Sequence, residues 1–425
     1  MSFALLWYEL RNLGSYGEDG GFIDLRTTAK DSKTQLWADV HGQKVNLITA
    51  IMGANASGKT TLLKPLSFLT WLFWSIPAKL SDQLYLNINR TTPEPGLVKV
   101  GFVFNGKVYT YEIEAWEGFI ANERLFVKGN NNKDTYIFKR EMDPVLSFQG
   151  MSEDELVINN DKDAEKILKL VKYNYVEKKD LFPFGGVEAK RTPANTSIMS
   201  AARRIGVTLA ANIAEAIRCT TNVSAAGRLL YSDQIMANAC EFLYENRDVF
   251  LQLKKIIRGW DLGLSDITIE LKKEQDSNGR EEEYYVLYGI HEREDGETYD
   301  LPFTLESAGT RSAFLRLQQI LQSLQEGKTC FIDELGDDLH PHMVKPILEL
   351  FAGRDTNPHC AQLVFTCHKP ELINYLGKYR VIICEKKYNK SECFRLDEFP
   401  SSEARVDDNL AAKYLAGTFG GVPDL

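Results

Sequence analysis

A chain of 425 residues, 44% of them hydrophobic and 26% charged, has room for two or three domains and a substantial core. Its net charge of −9 gives no overall cationic field for nucleic acid, and seven scattered cysteines without C-x-x-C pairs read as core thiols in a reducing cytoplasm. Met1 to Tyr8 is too short for a signal peptide and Glu9 follows at once, while the most apolar run, Leu66 to Ile76, falls well short of the ~20 residues that span a bilayer; the expectation is a soluble cytoplasmic protein without a membrane partner.

Along the chain, Phe3 to Tyr8 and Gly21 to Leu25 suggest a hairpin around "GSYGEDG". Val45 to Ile51 reads as a short buried strand and runs into Gly53-Ala54-Asn55-Ala56-Ser57-Gly58-Lys59-Thr60, which fits G-x-x-x-x-G-K-[ST]. The glycines let the backbone wrap an anion with its N–H groups inward, and Thr60-Thr61 opens a helix whose positive end faces it. Candidate phosphate ligands are therefore Gly53, Asn55, Ser57, Gly58, Lys59, Thr60 and Thr61, with the Thr60 hydroxyl on Mg²⁺. Pro65 is expected to kink this helix near Thr61, whose carbonyl loses its donor. Val98 to Phe104 and Lys107 to Ile113 alternate around Asn105-Gly106, a hairpin signal, and predict an antiparallel sheet beside the nucleotide.

From Ser152 to Trp260 the spacing turns helical, as in "NIAEAIRC" and "FLYENRDVFLQLKKII". The expected division is 1–151 and 261–425 as two halves of one head, with 152–260 as an inserted helical lobe. Heptads do not persist, which excludes a long coiled coil. Strands return at Ile267 to Leu271 and Glu283 to Ile290 around "EQDSNGRE". In "TLESAGTRSAFLRL", Ser307-Ala308-Gly309 opens a helix. "TCFIDELGDDLHP" is a strand ending in Asp333-Glu334: the aspartate suits the Mg²⁺ shell, the glutamate a general base for water. No N-K-x-D base-reading motif is present, so ATP is favoured over GTP. "QLVFTCHKPEL" is an apolar strand ending at His368, and Arg380 to Phe399 reads as a closing hairpin turning near Tyr388-Asn389-Lys390, rather than as a nuclease cluster of Glu385, Asp397 and Glu398.

This order of motifs resembles the ABC-type ATPase heads of SMC, RecF and Rad50 proteins. "ESAGT", "DELGDDLHP", "QLVFTCHKPEL" and "KYLAGTFGGVP" look like the AAA15/AAA21 family of bacterial ABC-type ATPases, related to overcoming-lysogenization-defect proteins. The resemblance implies an α/β fold: a P-loop NTPase head with a mixed sheet, flanking helices and an antiparallel β subdomain. It implies ATP and Mg²⁺ as ligands, Asp333 assisting the metal, Glu334 as general base and His368 at the γ-phosphate. It places Ser307 and Gly309 in trans on a second subunit's nucleotide, within an ATP-dependent homodimer or higher oligomer, and makes Gly336, Asp337 and Asp338 a dimer-contacting loop. Glu306 and Thr310 depart from transporter signatures. No glutamine stands out as the metal-linked switch, and the family's Leu-His-Pro turn explains His340 of His340-Pro341-His342 without a metal.

The function implied is an ATP-hydrolysing switch or scaffold for a separately encoded effector, such as a nuclease, in bacterial antiphage or abortive-infection defence. The alternative is a RecF-like DNA-binding repair ATPase, for which Lys254-Lys255-Arg258 or Arg203-Arg204 are candidate stripes, more simply read as solvated helix faces. A third reading is an ATP-locked scaffold that hydrolyses little; Lys59, Glu334 and His368 count against it.

Overall fold

Two sheets organise the chain, and each is built from distant segments. The computed structural model describes residues 2–423 apart from 28–30, 32–34, 90, 93, 130, 149–160, 230, 261, 276–280, 337–338, 340 and 401. The first sheet has six strands in the order Thr220–Thr221, Thr329–Ile332, Gln362–Thr366, Ile48–Gly53, Val381–Lys387, Lys390–Arg395. The first five run parallel and the last closes antiparallel. All six residues of Ile48–Gly53 are buried, as a strand covered on both faces requires. The second sheet is antiparallel and seven-stranded, running from Tyr173–Glu177 through the four strands between Gly96 and Met142 to Phe3–Arg11 and Gly21–Asp24.

Both early hairpins form as expected. Trp7 pairs with Asp24, and Phe104 pairs with Lys107 across Asn105-Gly106, whose φ of 46° and 78° are those of a tight hairpin turn. The run Val45 to Ile51 is not one strand. It divides at Leu47: Gln43–Asn46 pairs with Trp37–Val40, while Ile48 enters the parallel sheet. Asn46 fixes the break, its side-chain amide donating to the Tyr379 carbonyl (2.8 Å) and its backbone N–H to that of Leu25 (2.7 Å).

The helix Lys59–Trp74 lies between the two sheets. Leu62, Leu63, Leu66, Leu69 and Phe73 are buried there with Tyr8, Phe102 and Tyr111, which explains the long apolar run without a membrane. Among the described residues no helix is long and apolar enough to cross a bilayer. Pro65 does not break this helix, which is continuous through it. An interior proline costs about 3 kcal/mol, whereas burying each of these large side chains returns roughly 1.5–3 kcal/mol. On the opposite face of the parallel sheet a second core joins Ala313, Phe314, Leu317 and Leu321 of the helix Ala308–Glu326 to helices Asp233–Glu245, Arg247–Arg258 and Pro341–Ala352.

Within 152–260, expected as an inserted lobe, the described residues from Asp161 onward are not set apart from these sheets. Tyr173–Glu177 extends the antiparallel sheet and Thr220–Thr221 the parallel one. Helices Ile198–Arg204 and Thr208–Ile217 bury Ile198, Met199, Ala210 and Ile213 in the core around the P-loop helix. Helical periodicity reported the helices of this segment but not the short strands that thread it through the head. The closing hairpin is present as Val381–Lys387 and Lys390–Arg395, and its acids are engaged separately: Asp397 with Arg395, Glu385 with Lys387, and Glu398 with the Arg395 backbone N–H.

A buried ion pair ties the helices to the antiparallel sheet. Glu123, fully buried, accepts from the Ser197 hydroxyl (2.8 Å), the Ile198 and Met199 N–H groups (2.7 and 3.1 Å) and the Tyr111 hydroxyl (3.0 Å). It is the counter-ion of Arg140 (3.9 Å), itself fully buried with its guanidinium over the Tyr173 ring. Glu123→Ala strips the helix N-terminus of its acceptor and strands a buried cation. A loss of about 3–5 kcal/mol is expected, read as a fall in the denaturant midpoint at unchanged slope.

Candidate functional site

The strands Ile48–Gly53, Thr329–Ile332 and Gln362–Thr366 end side by side, which brings Gly53, Asp333, Glu334 and His368 to one edge of the sheet. The loop after Gly53 turns through residues that tolerate unusual backbone: Gly53, Ala56 and Gly58 have φ of 154°, 61° and 102°. A Cβ on Gly58 would lie 2.7 Å from the Ser391 hydroxyl, and one on Gly53 would overlap the Cys384 carbonyl. Only glycine fits either place. Gly58 is the residue before the helix and Lys59 its first, so the Lys59 and Thr60 N–H groups lie at its positive end, while the Thr61 N–H donates to the Gly58 carbonyl (3.0 Å).

Lys59 donates to the carbonyls of Gly53 (3.0 Å) and Ala54 (2.8 Å), within the loop it is expected to serve. Burial lowers its pKa, with Asp333 and Glu334 pulling the other way. The Ser57 hydroxyl is buried inside the loop without a hydrogen-bond partner, an orphan polar atom of the kind a bound anion satisfies. Loop, lysine and orphan hydroxyl fit a polyphosphate.

Asp333 sits beside this cradle, almost entirely buried. Its carboxylate accepts from the Thr60 hydroxyl (2.8 Å) and from the Thr366 hydroxyl (2.6 Å). The same Thr366 oxygen accepts from the Glu334 N–H (2.7 Å). Glu334 has φ of 55°, a left-handed backbone that a glutamate adopts only under constraint, and its carboxylate is ion-paired with Arg228. Hydroxyl and carboxylate at the phosphate end of a helix are hard oxygen donors, the set that Mg²⁺ takes. His368 is exposed at the end of its strand. Partial burial and the Lys59 charge hold its pKa below the ordinary value against the pull of Glu334 and Asp333.

Three of these residues were not visible in the sequence. Thr366 is one polar residue in an apolar strand. Asn222 follows a strand of two residues and clasps Asp333, accepting from its N–H (2.7 Å) and donating to its carbonyl (3.0 Å). Arg228 lies on the small hairpin Val223–Ser224/Gly227–Arg228, which Lys64 and Ser67 of the P-loop helix hold by the carbonyls of Ala225 (2.9 Å) and Val223 (2.7 Å). No spacing rule reaches across these segments.

Ser307 and Gly309 are not joined to this chain of bonds. Ser307 caps the helix Ala308–Glu326, accepting from the Thr310 N–H (3.1 Å), with the Thr310 hydroxyl at 2.9 Å. The preceding Glu306 is buried and bonded to His291 (2.7 Å); a side chain on Gly289 would overlap it. The non-transporter residues Glu306 and Thr310 therefore both fix the Ser307 turn. Gly336 packs against Lys369, whereas Asp337, Asp338 and His340 lie outside the described residues.

Residues 237–374 match the family model AAA_21, described as "AAA domain, putative AbiEii toxin, Type IV TA system". The match takes in the helix behind Ser307, Asp333-Glu334 and His368, but not the glycine loop before Lys59. Solved structures with likeness to the chain include an SMC head bound to the C-terminal winged-helix domain of ScpA (14% identity, covering 92% of this chain and 97% of that one, TM-score 0.41). An Smc head with an extended coiled coil bound to ScpA derived from Pyrococcus furiosus matches at 14% identity, 92% and 96% coverage and TM-score 0.42. The recombination mediator RecF matches at 12% identity, 93% and 98% coverage and TM-score 0.36. The fold assignment itself rests on the strand order and loop geometry above. No curated protein matches the chain.

Thr366→Val keeps the shape of the strand and removes the hydroxyl shared by Asp333 and Glu334. Orphaning the buried Asp333 oxygen costs about 1–3 kcal/mol, and the half-buried Glu334 N–H less. We expect ATP turnover to fall about ten-fold or more, with a raised Mg²⁺ requirement, measured as phosphate release across a Mg²⁺ titration.

Proposed function

We propose that the chain is an ATP-hydrolysing, ABC/SMC-like head that acts as an ATP-dependent homodimer or larger self-assembly. Its task is that of a switch or scaffold for a separately encoded effector, such as a nuclease, in bacterial antiphage defence. The observation that carries the catalytic part is the chain of bonds from Thr60 through Asp333 and Thr366 to Glu334, beside a glycine-shaped anion cradle.

In this reading the loop N–H groups and Lys59 bind the phosphates, and Thr60 with Asp333 holds Mg²⁺. The metal supplies charge neutralisation on the transferring phosphate. Glu334 orients the attacking water and takes its proton, which requires its carboxylate to leave Arg228. His368 offers a ring N–H as a hydrogen-bond donor at the γ-phosphate. Ser307 and the N–H groups opening the helix Ala308–Glu326 serve the nucleotide of a second subunit, since an intact site needs donors on the side of the phosphate away from Lys59.

Support for the biological part comes from the matching family's description, which names an AbiEii-type toxin of a type IV toxin–antitoxin system. The RecF-like reading needs a basic stripe. Arg203 stacks on Trp74 and donates to the Phe73 carbonyl (3.0 Å), and Lys254 and Arg258 both pair with Asp266 (2.9 and 2.7 Å). Those three cations are engaged within the fold, whereas Arg204 and Lys255 of the same stripes are exposed, so the RecF-like reading stands beside the switch.

Glu334→Gln is expected to keep ATP binding and to lose turnover by about 10²–10⁴-fold, while Lys59→Ala weakens binding itself. Phosphate release and nucleotide titration on the same preparations separate the two. Wild-type turnover in Glu334→Gln removes Glu334 from the role of base.

The shared site predicts complementation. Mixing Lys59→Ala with Ser307→Arg leaves one intact composite site per heterodimer, so activity should reappear. Heterodimers that form and stay inactive would contradict the trans arrangement.

A further inference from the structure

The segment "KYLAGTFGGVP", Lys413 to Pro423, turns against the underside of the phosphate loop. Gly417, in the left-handed region at φ 79°, ends the helix Leu410–Leu415 with its N–H on the Tyr414 carbonyl (2.9 Å). Phe419, 1% exposed, then anchors the chain in the second core against Phe399. Gly420 and Gly421 follow with φ of 66° and 70°. A Cβ on Gly421 would lie 2.6 Å from Ile383 Cγ2, 3.2 Å from the Cys384 carbonyl oxygen and 3.6 Å from the Gly53 Cα. The same carbonyl is the one that a Cβ on Gly53 would strike. Two glycines from distant parts of the chain therefore close on one carbonyl, and neither has room for a methyl group.

The segment also reaches the strand that ends at His368. The Asn409 side chain caps the helix by accepting from the Ala412 N–H (3.0 Å), and it accepts from the Asn374 amide as well (2.9 Å). The Asn374 side-chain oxygen in turn accepts from the Ala411 N–H (3.1 Å). Asn374 lies on the helix Glu371–Leu376, which begins directly after His368-Lys369-Pro370. Leu410 and Tyr414 are buried in one core with Cys367, Ile373 and Ile383, and the Tyr414 hydroxyl donates to the Gly421 carbonyl (3.1 Å). Contacts thus run from the helix after His368, through Asn409 and Tyr414, to the glycine under Gly53.

We propose that residues 409–421 are a positioning strap of the nucleotide site: Gly421 fixes where the phosphate loop sits, through Gly53, and Asn409 with Tyr414 ties that loop to the strand end of His368. A contact of this kind has no slack, because interiors are close-packed and an added methyl group must displace backbone on one side or the other. A displaced loop aims its N–H groups away from the phosphates, and small misplacements are costly. Linkage requires the converse: a nucleotide that holds the loop in place also tightens the strap. The inference rests on the reading of the loop as a nucleotide site, and not on which residue is the catalytic base.

Hydrogen exchange of the full chain, with and without saturating ADP, reads that converse. Amides of 409–421 should exchange about three-fold or more slowly with ADP, and Lys59→Ala at the same ADP concentration should lose the effect. Protection of the phosphate loop with none in 409–421 overturns the strap. Gly421→Ala should weaken ADP and ATP about ten-fold or more in nucleotide titrations. Gly417→Ala puts the same left-handed strain into the segment, but its Cβ is in ordinary contact, 3.5 Å from Val422 Cγ2, and away from the loop. It should bind nucleotide within about two-fold of the wild type. Equal weakening by both variants, in step with their loss of denaturant midpoint, reduces Gly421 to a structural role and overturns the positioning. Where Gly421→Ala does not fold, Tyr414→Phe carries the same test: it keeps the ring, removes the bond to the Gly421 carbonyl and should weaken ADP about three-fold. Wild-type affinity in the variant that folds counts against the strap. A chain that binds ADP but never hydrolyses ATP refutes the catalytic reading and leaves the strap in place, whereas one that binds neither nucleotide overturns both.

Discussion

The carboxylate of Asp333 is 3% exposed, and a buried anion is tolerable only when its oxygens are satisfied. One oxygen takes the Thr60 hydroxyl and the other that of Thr366, while Asn222 holds the backbone on both sides. Each partner comes from a different strand end: the P-loop, the His368 strand and the two-residue edge strand. A one-residue slip in any of these strands would turn its side chain to the wrong face and orphan the charge. Strand register and the geometry of the glycine loop and its neighbours therefore depend on the same carboxylate.

The cradle is also held from the far end of the chain. Gln362 clips the two sheets together, accepting from the Leu5 N–H (2.7 Å) and donating to the carbonyls of Leu5 (3.0 Å) and Asn46 (3.1 Å). The Ser391 N–H donates to the Ser15 carbonyl (2.9 Å), which pins the first loop of the chain beside Gly58. Beneath Gly53 packs Gly421, where a Cβ would sit 3.6 Å from the Gly53 Cα; the Tyr414 hydroxyl bonds its carbonyl (3.1 Å). The segment "KYLAGTFGGVP" thus supports the phosphate loop from below. Such non-local pairing makes the two halves fold together, because the P-loop strand has both its neighbours in the last third of the chain.

What the sequence made legible was what local rules encode. The anion loop shows through its glycines and lysine, and the hairpin at Asn105-Gly106 through its turn chemistry. The strands at Ile332 and Thr366 show as apolar runs with polar ends. Asn222 and Arg228 were hidden because their significance arises only when a two-residue strand aligns beside Cys330 and Phe331. The same short strands disguised 152–260 as a lobe: its helices are long enough to show a period, and the pieces that join it to the sheets are not. Leu47 illustrates a third case, in which a run read as one strand is cut where the Asn46 side chain bonds the Tyr379 carbonyl, a contact that no pattern displays.

The ion pairs of the chain divide by burial, and the division bears on mechanism. Arg380 with Asp31 and Arg140 with Glu123 have side chains at most 2% exposed, and separating either would leave an uncompensated buried charge. Such pairs lock structure, at about 3–5 kcal/mol for losing one partner. Arg228 and Glu334 keep 22% and 33% exposure, so water can take over either charge as they part. Pairs open to solvent to this degree contribute about 1 kcal/mol or less. A ligand that binds the separated state merely ten-fold more tightly supplies about 1.4 kcal/mol, enough to invert that balance. The hairpin carrying Arg228 is itself anchored by Lys64 and Ser67 to the helix that begins in the phosphate cradle. The contact that restrains Glu334 is thus weak enough to be released, and it is mounted on the helix that opens at Gly58.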